Sequence, residues 1–492
     1  MFFKKSSSVI FRNYDSFGYI TDNRNFGYKK NINNESLMGD KILSASGAVF
    51  FSVLDTEPQP INELANKINQ HFIDIDIETI KADAKEFYLT LEMDRFVISG
   101  KTSQECKDNE PKFSYKNLDT QNIENPHRLI NSEEKSPQEF LEGYYGDKHH
   151  LTNIHIEITS KCNERCVHCY IPHDDKTNDI DPDLFYDILK QCYEMKVLHL
   201  TLSGGEPMLH KNFCAFLSRC REYNFSVNIL SNLTLLDDKI IEEMRRNPLL
   251  GVQVSLYSMS NEIHDGITQH KGSFEKTKNA ILELIKNDIP LQISCPIMKQ
   301  NKNCYADVVK WASEYNIHAG DDYVIIATYD NSTTNLNCRL STNEIKEIIS
   351  EKVAHDAIYL DKVLIESENK KDISPEDYVC SVCNSSICIS ENGSVYPCAG
   401  WQGYTVGDIK SAHLCHIWEK SEKINYLRSL RKRDFPKCIE CTAKEFCTMC
   451  MVRNANENPM GDPLKVNEYF CEIARFNKIK ALERKGKHDG KP

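Results

Sequence analysis

The sequence CNERCVHCY, residues 162–170, decides the fold because its three cysteines stand in the spacing C-x3-C-x2-C. Cys162, Cys166 and Cys169 supply three thiolates, whereas an iron–sulfur cluster that only carries electrons usually takes four. Three protein ligands leave one iron open to a molecule that binds and reacts. Thiolate pairs two residues apart are also common at structural zinc sites, so a zinc knuckle is the alternative interpretation of this spacing.

The position of the three cysteines favours a catalytic loop. They follow residues 154–159, an alternating strand-like segment, and precede the helix-like segment 181–195. This places them on a strand-to-helix loop, which is where α/β barrels carry their catalytic residues. A zinc knuckle has no reason to lie at that point of a barrel.

A second motif, SGGEP at residues 203–207, follows the next strand-like segment, 198–202. Gly204 and Gly205 expose backbone groups, the Glu206 carboxylate can face an ammonium group, and Pro207 closes the turn. Alone, this motif is a tight turn between a strand and a helix. Its place at the end of the strand after the cysteine loop indicates that both motifs serve one site.

The alternation of strands and helices continues along the chain. Residues 226–230, 251–256, 291–297 and 323–326 are strand-like, and amphipathic helices separate them. One helix shows the buried stripe Phe274, Ile281, Leu284 and Ile285. Six β-then-α units predict a parallel sheet.

Together these motifs resemble the radical S-adenosylmethionine (SAM) superfamily. The resemblance implies an α/β fold whose core is an open (β/α)6 partial TIM-type barrel over residues 151–335. It implies a [4Fe–4S] cluster on the three cysteines, with SAM on the free iron and reductive cleavage of SAM to a 5′-deoxyadenosyl radical. It also implies a set of SAM-contacting residues: Tyr170, Gly204, Gly205, Glu206, Pro207, Ser231, Asn232 and Ser255. Ser and Asn after a strand are also ordinary turn and capping residues.

Most other cysteines lie near the C-terminus. Cys380 and Cys383 are followed by Gly393 and Cys398, then by a C-x2-C-x5-C-x2-C run and a distant cysteine. On spacing alone, zinc ribbons are an alternative. The layout resembles the SPASM domain, which carries two auxiliary [4Fe–4S] clusters. The resemblance implies two ligand sets, the first with Cys380, Cys383, Cys398 and Cys450, the second with Cys438, Cys441, Cys447 and Cys471. Because the gap from Cys380 to Cys383 is short for this family, Cys388 is the alternative to Cys380.

The first hundred residues contain strand-like segments 9–14 and 18–22, followed by three helix-like segments. Two helices have one apolar face each, made of Ile61, Leu64, Ala65 and Ile68, and of Ile80, Ala84, Phe87 and Leu91. This order resembles the PqqD-like winged-helix domain that recognises the leaders of ribosomally made precursor peptides and takes the leader as an extra strand. A DNA-binding winged helix, and thus an iron–sulfur regulator, is the non-enzymatic alternative. In the third helix, four acidic residues outweigh Lys81 and Lys85, which disfavours phosphate binding. A plain structural subdomain is the remaining alternative.

We therefore expect six segments: a leader-binding domain at 1–100, a polar linker at 101–150, the barrel at 151–335, a bridging region at 336–376, a SPASM domain at 377–475 and a basic tail at 476–492. The net charge of −12 argues against a nucleic-acid partner. The sequence shows no signal peptide and no membrane-spanning run, so a cytoplasmic protein without a membrane partner is expected. Twenty cysteines in such a chain indicate clusters rather than disulfides.

The combined resemblances imply radical modification of a ribosomally made precursor peptide. The deoxyadenosyl radical removes a hydrogen from the peptide, a peptide cysteine closes a thioether, an auxiliary cluster accepts the electron, and a flavodoxin or ferredoxin supplies electrons. Carbon–carbon or carbon–oxygen crosslinking and epimerisation are the nearest variants. Formylglycine formation on a sulfatase is disfavoured, because sulfatase-activating relatives place an acid after the Y-x-C cysteine and here Ala399 follows Cys398. The sequence assigns no catalytic base.

Overall fold

A computed structural model describes residues 1–22, 39–115, 137–355, 359–368 and 373–489, with side chains through Glu483. The basic side chains near residues 484–487 lie outside this description. The fifteen strands of the described part, β1 to β15 in chain order, are Phe2–Lys5, Val9–Asn13, Phe17–Asp22, Asp40–Ser44, Gln59–Pro60, Val97–Gly100, Asn153–Thr159, His199–Gly204, Ser226–Ser231, Leu250–Ser255, Leu291–Ser294, Ala319–Gly320, Ser386–Ile389, Ser394–Tyr396 and Gly407–Asp408.

The helices of the described part are named α1 to α18. In chain order they are Ala45–Ser52, Ile61–Asn69, Ile77–Met93, Ser103–Asp108, Pro137–Tyr145, Pro182–Glu194, Phe213–Glu222, Asp238–Arg245, Asn261–Thr268, Ser273–Lys286, Tyr305–Glu314, Thr342–His355, Tyr359–Glu368, Leu414–Lys420, Glu422–Ser429, Pro436–Ile439, Met451–Asn456 and Glu468–Asp489. None of the helices of the described residues combines the length and apolar character that crossing a bilayer requires.

The central sheet has nine strands in the order β12-β11-β10-β9-β8-β7-β13-β14-β15. Strands β7 to β12 are parallel and are joined by helices, which confirms the α/β fold with a six-unit partial barrel. Helix α6 shows how such a unit begins, because Asp181 accepts hydrogen bonds from two amides of its first turn and Pro182 opens the helix. The predicted stripe of α10 is confirmed, with Ile285 only partly buried against the core.

Alternate residues of β7 face opposite sides of the sheet. Ile154, Ile156 and Ile158 pack into the main core together with apolar residues of the surrounding helices. His155 and Glu157 therefore lie on the inner, concave face of the sheet. Polar residues of neighbouring strands share this face, because the His155 imidazole hydrogen-bonds the Ser203 hydroxyl and Gln292 Nε2 donates to Gln253 Oε1 at 2.9 Å.

The prediction of a sixth strand at residues 323–326 is wrong. The sixth strand is the two-residue β12, which pairs with β11 through Ile293 and Ala319. Beyond it, Asp322 Oδ1 accepts a hydrogen bond from the Val324 amide at 2.8 Å, and Ile325 packs into a separate small core with Tyr257 and other residues. A short apolar run does not distinguish a strand from a buried loop, which is why the sequence misleads here.

The C-terminal domain extends the barrel sheet. Strand β13 pairs in parallel with β7, with Ile387 opposite Ile154 and Ile389 opposite Ile156. Strands β14 and β15 then follow in antiparallel order. The two domains therefore share one continuous sheet, which the sequence does not predict.

The N-terminal region holds two three-stranded sheets, β5-β1-β6 and β2-β3-β4, with helices α1 to α3. The predicted strands at 9–14 and 18–22 and the apolar face of α2 are confirmed. In α3, Tyr88 is buried in the position predicted for Phe87, which is partly buried against the same core. Strands β1, β4, β5 and β6 are not predicted by the sequence.

The N-terminal region rests on the edge of the barrel where its strands begin. Asn224, just before β9, accepts a hydrogen bond from the Phe11 amide at 2.9 Å and donates to the Val9 carbonyl at 3.0 Å. The buried Arg12 guanidinium donates to the Val197 carbonyl at 2.9 and 2.7 Å and to the Asn224 carbonyl at 3.1 Å. These contacts fix β2 against the barrel.

The two predicted connecting regions contain helices in their described parts. Region 101–150 holds α4 and α5, and residues 116–136 lie outside the description. Region 336–376 holds α12 and α13. The linker and bridging assignments themselves remain predictions.

Candidate active site

The cysteine loop leaves β7 at the carboxyl edge of the sheet and is held by the end of α9. The amides of Arg165 and Val167 donate to the carbonyls of Thr268 and Ile267, each at 3.0 Å. The Asn163 carbonyl hydrogen-bonds His270 Nδ1 at 2.7 Å. These contacts fix the loop from outside, while within it Cys162 Sγ accepts a hydrogen bond from the Glu164 amide and Cys166 Sγ donates to Glu164 Oε2, each at 3.4 Å.

The thiols of this loop lie close enough to act on one another. The pKa of Cys166 is raised well above its ordinary value, mainly by burial and then by Glu164, Cys169 and Cys162. Burial raises the pKa of Cys162 to about 11. Thiols crowded in this way are stabilised as thiolates when they bind iron, since metal ligation replaces the proton. The loop therefore fits a cluster held by three cysteines.

The SGGEP motif packs directly onto the start of the cysteine loop. The amides of Gly205 and Glu206 donate to the carbonyls of Thr159 and Lys161, both at 2.8 Å. A β-carbon on Gly204 or Gly205 would collide with these same carbonyl oxygens, and Gly204 has a φ of 135°. Only glycine permits this approach, so the structure explains both glycines of the motif.

The Glu206 side chain is buried and already has three hydrogen-bond donors. Its carboxylate accepts from Ser231 Oγ at 2.8 Å, from the Asn232 amide at 2.8 Å and from the Met208 amide at 3.0 Å. Burial, the largest cause, raises its pKa to about 7. The structure thus brings Glu206, Ser231 and Asn232 together, with the carboxylate tying the ends of β8 and β9 to each other.

Asn163 completes this polar network, although no sequence pattern identifies it. Its Nδ2 donates to Thr234 Oγ1 at 2.7 Å, and its Oδ1 accepts from Asn232 Nδ2 at 3.0 Å. The network joins the cysteine loop to the turn after β9. Asn163 lies inside the cysteine motif, where only the cysteines have a spacing that predicts a function.

Ser255, at the end of β10, hydrogen-bonds the buried Tyr257, whose hydroxyl lies 3.3 Å from His168 Nε2. Burial and then Cys166 raise the pKa of Tyr257 far above its ordinary value. Ser255 is therefore linked through Tyr257 to His168 of the cysteine loop. Tyr257 was not predicted, because a tyrosine after a strand resembles any core aromatic residue.

The first C-terminal cysteine set converges in space. Cys450 and Cys398 act on the pKa of Cys380, which burial raises to about 11. Cys380 and Cys398 act on Cys383, whose pKa burial raises to about 12. Cys388 is differently placed, because its electrostatic neighbours are Glu157, Cys398 and Glu391. The geometry favours Cys380 over Cys388 as the fourth member.

The second set forms its own group. Burial and then Cys471, Cys447 and Cys441 raise the pKa of Cys438 to about 11. Cys447 and Cys441 also raise the pKa of Cys471. After burial, the largest effects on the thiols of Cys438 and Cys471 thus come from this second set and from nearby cations. The eight cysteines of the two implied sets therefore fall into two groups of four, interleaved along the chain.

In the part of the chain that the structure describes, no three His, Cys, Asp or Glu side chains are arranged to ligate one metal ion. Each C-terminal group of four interacting thiols nevertheless supplies the donor type and number that a four-cysteine iron–sulfur cluster takes.

Two family models match the chain. Residues 156–312 match the radical SAM superfamily, and residues 380–442 match SPASM, an iron–sulfur cluster-binding domain. The first range contains the cysteine loop, the SGGEP motif and the strand-end residues. The second contains the start of both C-terminal cysteine groups.

Several known proteins are similar to this chain. A cofactor-modifying protein for tungsten-containing aldehyde ferredoxin oxidoreductase, from Pyrococcus furiosus, is 23% identical over 66% of this chain and 98% of its own length. The subtilosin biosynthesis protein AlbA of Bacillus subtilis is 22% identical over 62% of this chain and 68% of its own length. The structure of Streptococcus suis SuiB bound to precursor peptide SuiA superposes with a TM-score of 0.58 at 14% identity, covering 95% of this chain and all of SuiB.

The cysteine loop, the glycines that allow SGGEP to reach it and the two matching models agree with one another. The fold is that of SuiB-like structures over nearly the whole chain. The chain therefore carries a radical SAM domain followed by an iron–sulfur SPASM domain, and it is a radical SAM enzyme.

Proposed function

We propose that this enzyme matures a ribosomally made precursor peptide by closing an intramolecular crosslink, most simply a thioether from a peptide cysteine. Two relatives support a peptide substrate, because AlbA acts in the biosynthesis of the bacteriocin subtilosin and SuiB has been crystallised with a precursor peptide. The bond type is chosen because a thioether needs only a cysteine in the peptide and an electron acceptor in the enzyme.

One observation carries the proposal: the first C-terminal cysteine group lies beside the SAM-side loop. Tyr170 lies directly after Cys169. Burial raises its pKa most, and Glu157, Cys388, Cys169 and Cys398 raise it further because they lie nearby. Cys169 belongs to the radical-forming loop and Cys398 to the first auxiliary group. Closing a crosslink releases an electron near the place where the radical forms, and a cluster held by this cysteine group would lie close enough to accept it.

The bound cofactors would supply a deoxyadenosyl radical and two electron-accepting clusters. Cys162, Cys166 and Cys169 would hold the first cluster, and the two C-terminal groups would hold one each. The SGGEP backbone would bind the ammonium group of SAM, since the Glu206 carboxylate is occupied by its own three donors. Tyr170, Asn232 and Ser255 would bound the rest of the SAM site.

The N-terminal region would capture the leader of the peptide as an added strand at β4. In the sheet β2-β3-β4, one edge belongs to β2 and is covered by Asn224 of the barrel. In the described part of the chain, no strand pairs with the other edge, which belongs to β4. Along residues 41–44 of β4, this edge would accept an extended peptide through backbone hydrogen bonds. An external flavodoxin or ferredoxin would provide the electron that starts each turnover.

The test is to search beside this gene for a short reading frame that encodes a cysteine-containing peptide, to coexpress that peptide with the enzyme, and to measure its mass by mass spectrometry. We expect a loss of two hydrogens, since one leaves as an atom and the thiol proton leaves with it. An unchanged mass with exchange of one α-hydrogen would indicate epimerisation. A gain of oxygen with loss of sulfur would indicate formylglycine chemistry and refute the crosslink.

Capture at β4 has its own test. Adding the peptide should slow hydrogen exchange of amides in Asp40–Ser44 and leave those of Val9–Asn13 unchanged, because the edge of β2 is already covered. Protection of both strands, or of neither, would contradict leader addition at β4.

A further inference from the structure

Two buried carboxylates lie where the barrel joins the C-terminal domain. Glu157 is 3% exposed on the inner face of β7, and Glu391 is 8% exposed just after β13, the strand that pairs with β7. Asn178 Nδ2 contacts Glu391 at 3.5 Å. Carboxylates are rarely buried without a cationic partner, and the groups that act on Glu157 are Glu391, Gln402 and Tyr170, none of them basic.

Glu157 touches both cofactor loops. Gln402 Nε2, four residues after Cys398, donates to Oε2 of the carboxylate. The Tyr170 hydroxyl, one residue after Cys169, donates to Oε1 at 3.4 Å. One carboxylate thus stands between the loop that would form the radical and the first auxiliary group that would accept the electron.

The surroundings of Glu157 suit a group that gains and loses a proton. Burial, followed by Glu391, raises the pKa of Glu157 to about 8, and the hydrogen bonds from Gln402 and Tyr170 limit that rise. The ionisable groups that interact with it are Glu391, Tyr170, Tyr329, Cys388 and Cys398. A general base acts best when its pKa lies near the working pH.

We propose that Glu157 accepts the proton released when the crosslink closes. The inference rests on the proposed function and names the base that the sequence leaves unassigned. Once a hydrogen atom has left the peptide carbon, the peptide S–H bond breaks, its proton goes to the Glu157 carboxylate, and the C–S bond forms. The one remaining electron goes to the first auxiliary iron–sulfur cluster. Glu157 on β7 would thereby accept the proton that Ala399, the residue after Cys398, has no side-chain group to accept.

Glu157→Gln preserves size, keeps an amide oxygen for the hydrogen bond from Tyr170 and removes the proton acceptor, while Gln402 turns its amide so that its oxygen accepts from the new side-chain nitrogen. With the wild-type peptide carrying deuterium at the reacting carbon, we expect SAM cleavage and deuterium transfer into deoxyadenosine within about twofold of wild type. Crosslinked product should fall by about 100-fold or more, the usual contribution of a general base. Glu391→Gln, which leaves Glu157 in place, is the matched control and should retain crosslinking within a few-fold.

Two readouts separate proton acceptance from a structural role. With a pKa of about 8, more of the Glu157 carboxyl is ionised as the pH rises, so wild-type product should increase and level off above pH 8, whereas Glu157→Gln should regain product only as the free peptide thiol, whose pKa is about 8.5, ionises. In the loaded enzyme without peptide, infrared spectroscopy should show a buried carboxylic-acid band that titrates near pH 8 and is missing in Glu157→Gln.

Full crosslinking by Glu157→Gln, loss that high pH does not relieve, or an infrared spectrum without this band would each overturn the inference. If the wild-type enzyme forms no crosslink while Glu157 shows its band, the proposed function fails instead. The two failures are therefore distinguishable in one set of samples.

Discussion

Asn224 offers a direct test of how the N-terminal region is held on the barrel. Its side-chain amide replaces a neighbouring strand for β2, with Oδ1 accepting from the Phe11 amide and Nδ2 donating to the Val9 carbonyl. Its backbone is left-handed, with a φ of 55°. Asn224→Gly therefore removes both hydrogen bonds without backbone strain, whereas Asn224→Ala removes them and adds strain.

The magnitude follows from the two lost bonds. Each lost bond leaves a partly buried backbone group without its partner, which costs about 1–2 kcal/mol. The free energy needed to open the edge of β2 should therefore fall by about 2–4 kcal/mol. Alanine in the left-handed region lowers the free energy of unfolding by about 1 kcal/mol more. A change of 1.4 kcal/mol corresponds to tenfold, so hydrogen exchange at the Phe11 amide should accelerate about 30-fold to 1,000-fold in Asn224→Gly.

The assay is hydrogen exchange of the individual Phe11 amide, with amides inside α3 as the internal reference. Those of α3 should keep their wild-type rates in Asn224→Gly. SAM cleavage should also be unchanged, while turnover of a leader-bearing peptide should fall. Unchanged exchange at Phe11 would refute the account of Asn224 as the partner of β2, and equal thermal stability of the two variants would refute the left-handed strain.

Other predictions follow from the site and the core. Replacing the three cysteines of residues 162–169 with Ala should remove about one third of the iron and all SAM cleavage, as measured by iron analysis and deoxyadenosine assay. Stoichiometric zinc without iron would contradict the clusters. Gly204→Ala should abolish SAM binding in calorimetry, because the new β-carbon meets the Thr159 carbonyl; wild-type affinity would show that the approach can relax. Burial lowers the pKa of His264 to about 4 from 6.5, so its contribution to the free energy of unfolding should be constant above pH 6.5 and fall as the pH drops toward 4, where the unfolded state takes up the proton first. The loss at pH 5 is about 2 kcal/mol, and His264→Gln should remove this part of the pH dependence of thermal unfolding.

The sequence predicts those parts of the fold that have a local pattern. Five of the six barrel strands carry clear alternation or apolar runs, and the glycines of SGGEP are visible as a motif. Residues 323–326 mislead because an apolar tetrad packs as well in a loop as in a strand. The pairing of β13 with β7 has no local signal, since parallel partners far apart in a chain need only both be apolar.

The candidate site likewise contains residues that a local sequence pattern predicts and residues that no such pattern predicts. The spacing of the cysteines predicts two ligand sets, and the structure brings members of each set close to one another, while the ligand roles themselves stay predictions. Asn163, Tyr257 and Glu157 act through neighbours from other strands and loops, so no single segment identifies them. Glu157 in particular reads as the polar position of an alternating strand, and only the approach of Gln402 and Glu391 from the C-terminal domain sets it apart.

The shared sheet also constrains how the protein is made. Ser385, just before β13, accepts hydrogen bonds from Thr152, a partner 233 residues earlier in the chain. Pairings so distant in sequence form slowly, since a long loop must close first. During synthesis, β7 emerges long before β13 and offers an unpaired edge, which is a hazard for aggregation until the C-terminal domain arrives. A cluster held by the first C-terminal cysteine group would therefore form only after the last quarter of the chain has been made, and the edge of β7 would stay unpaired until then.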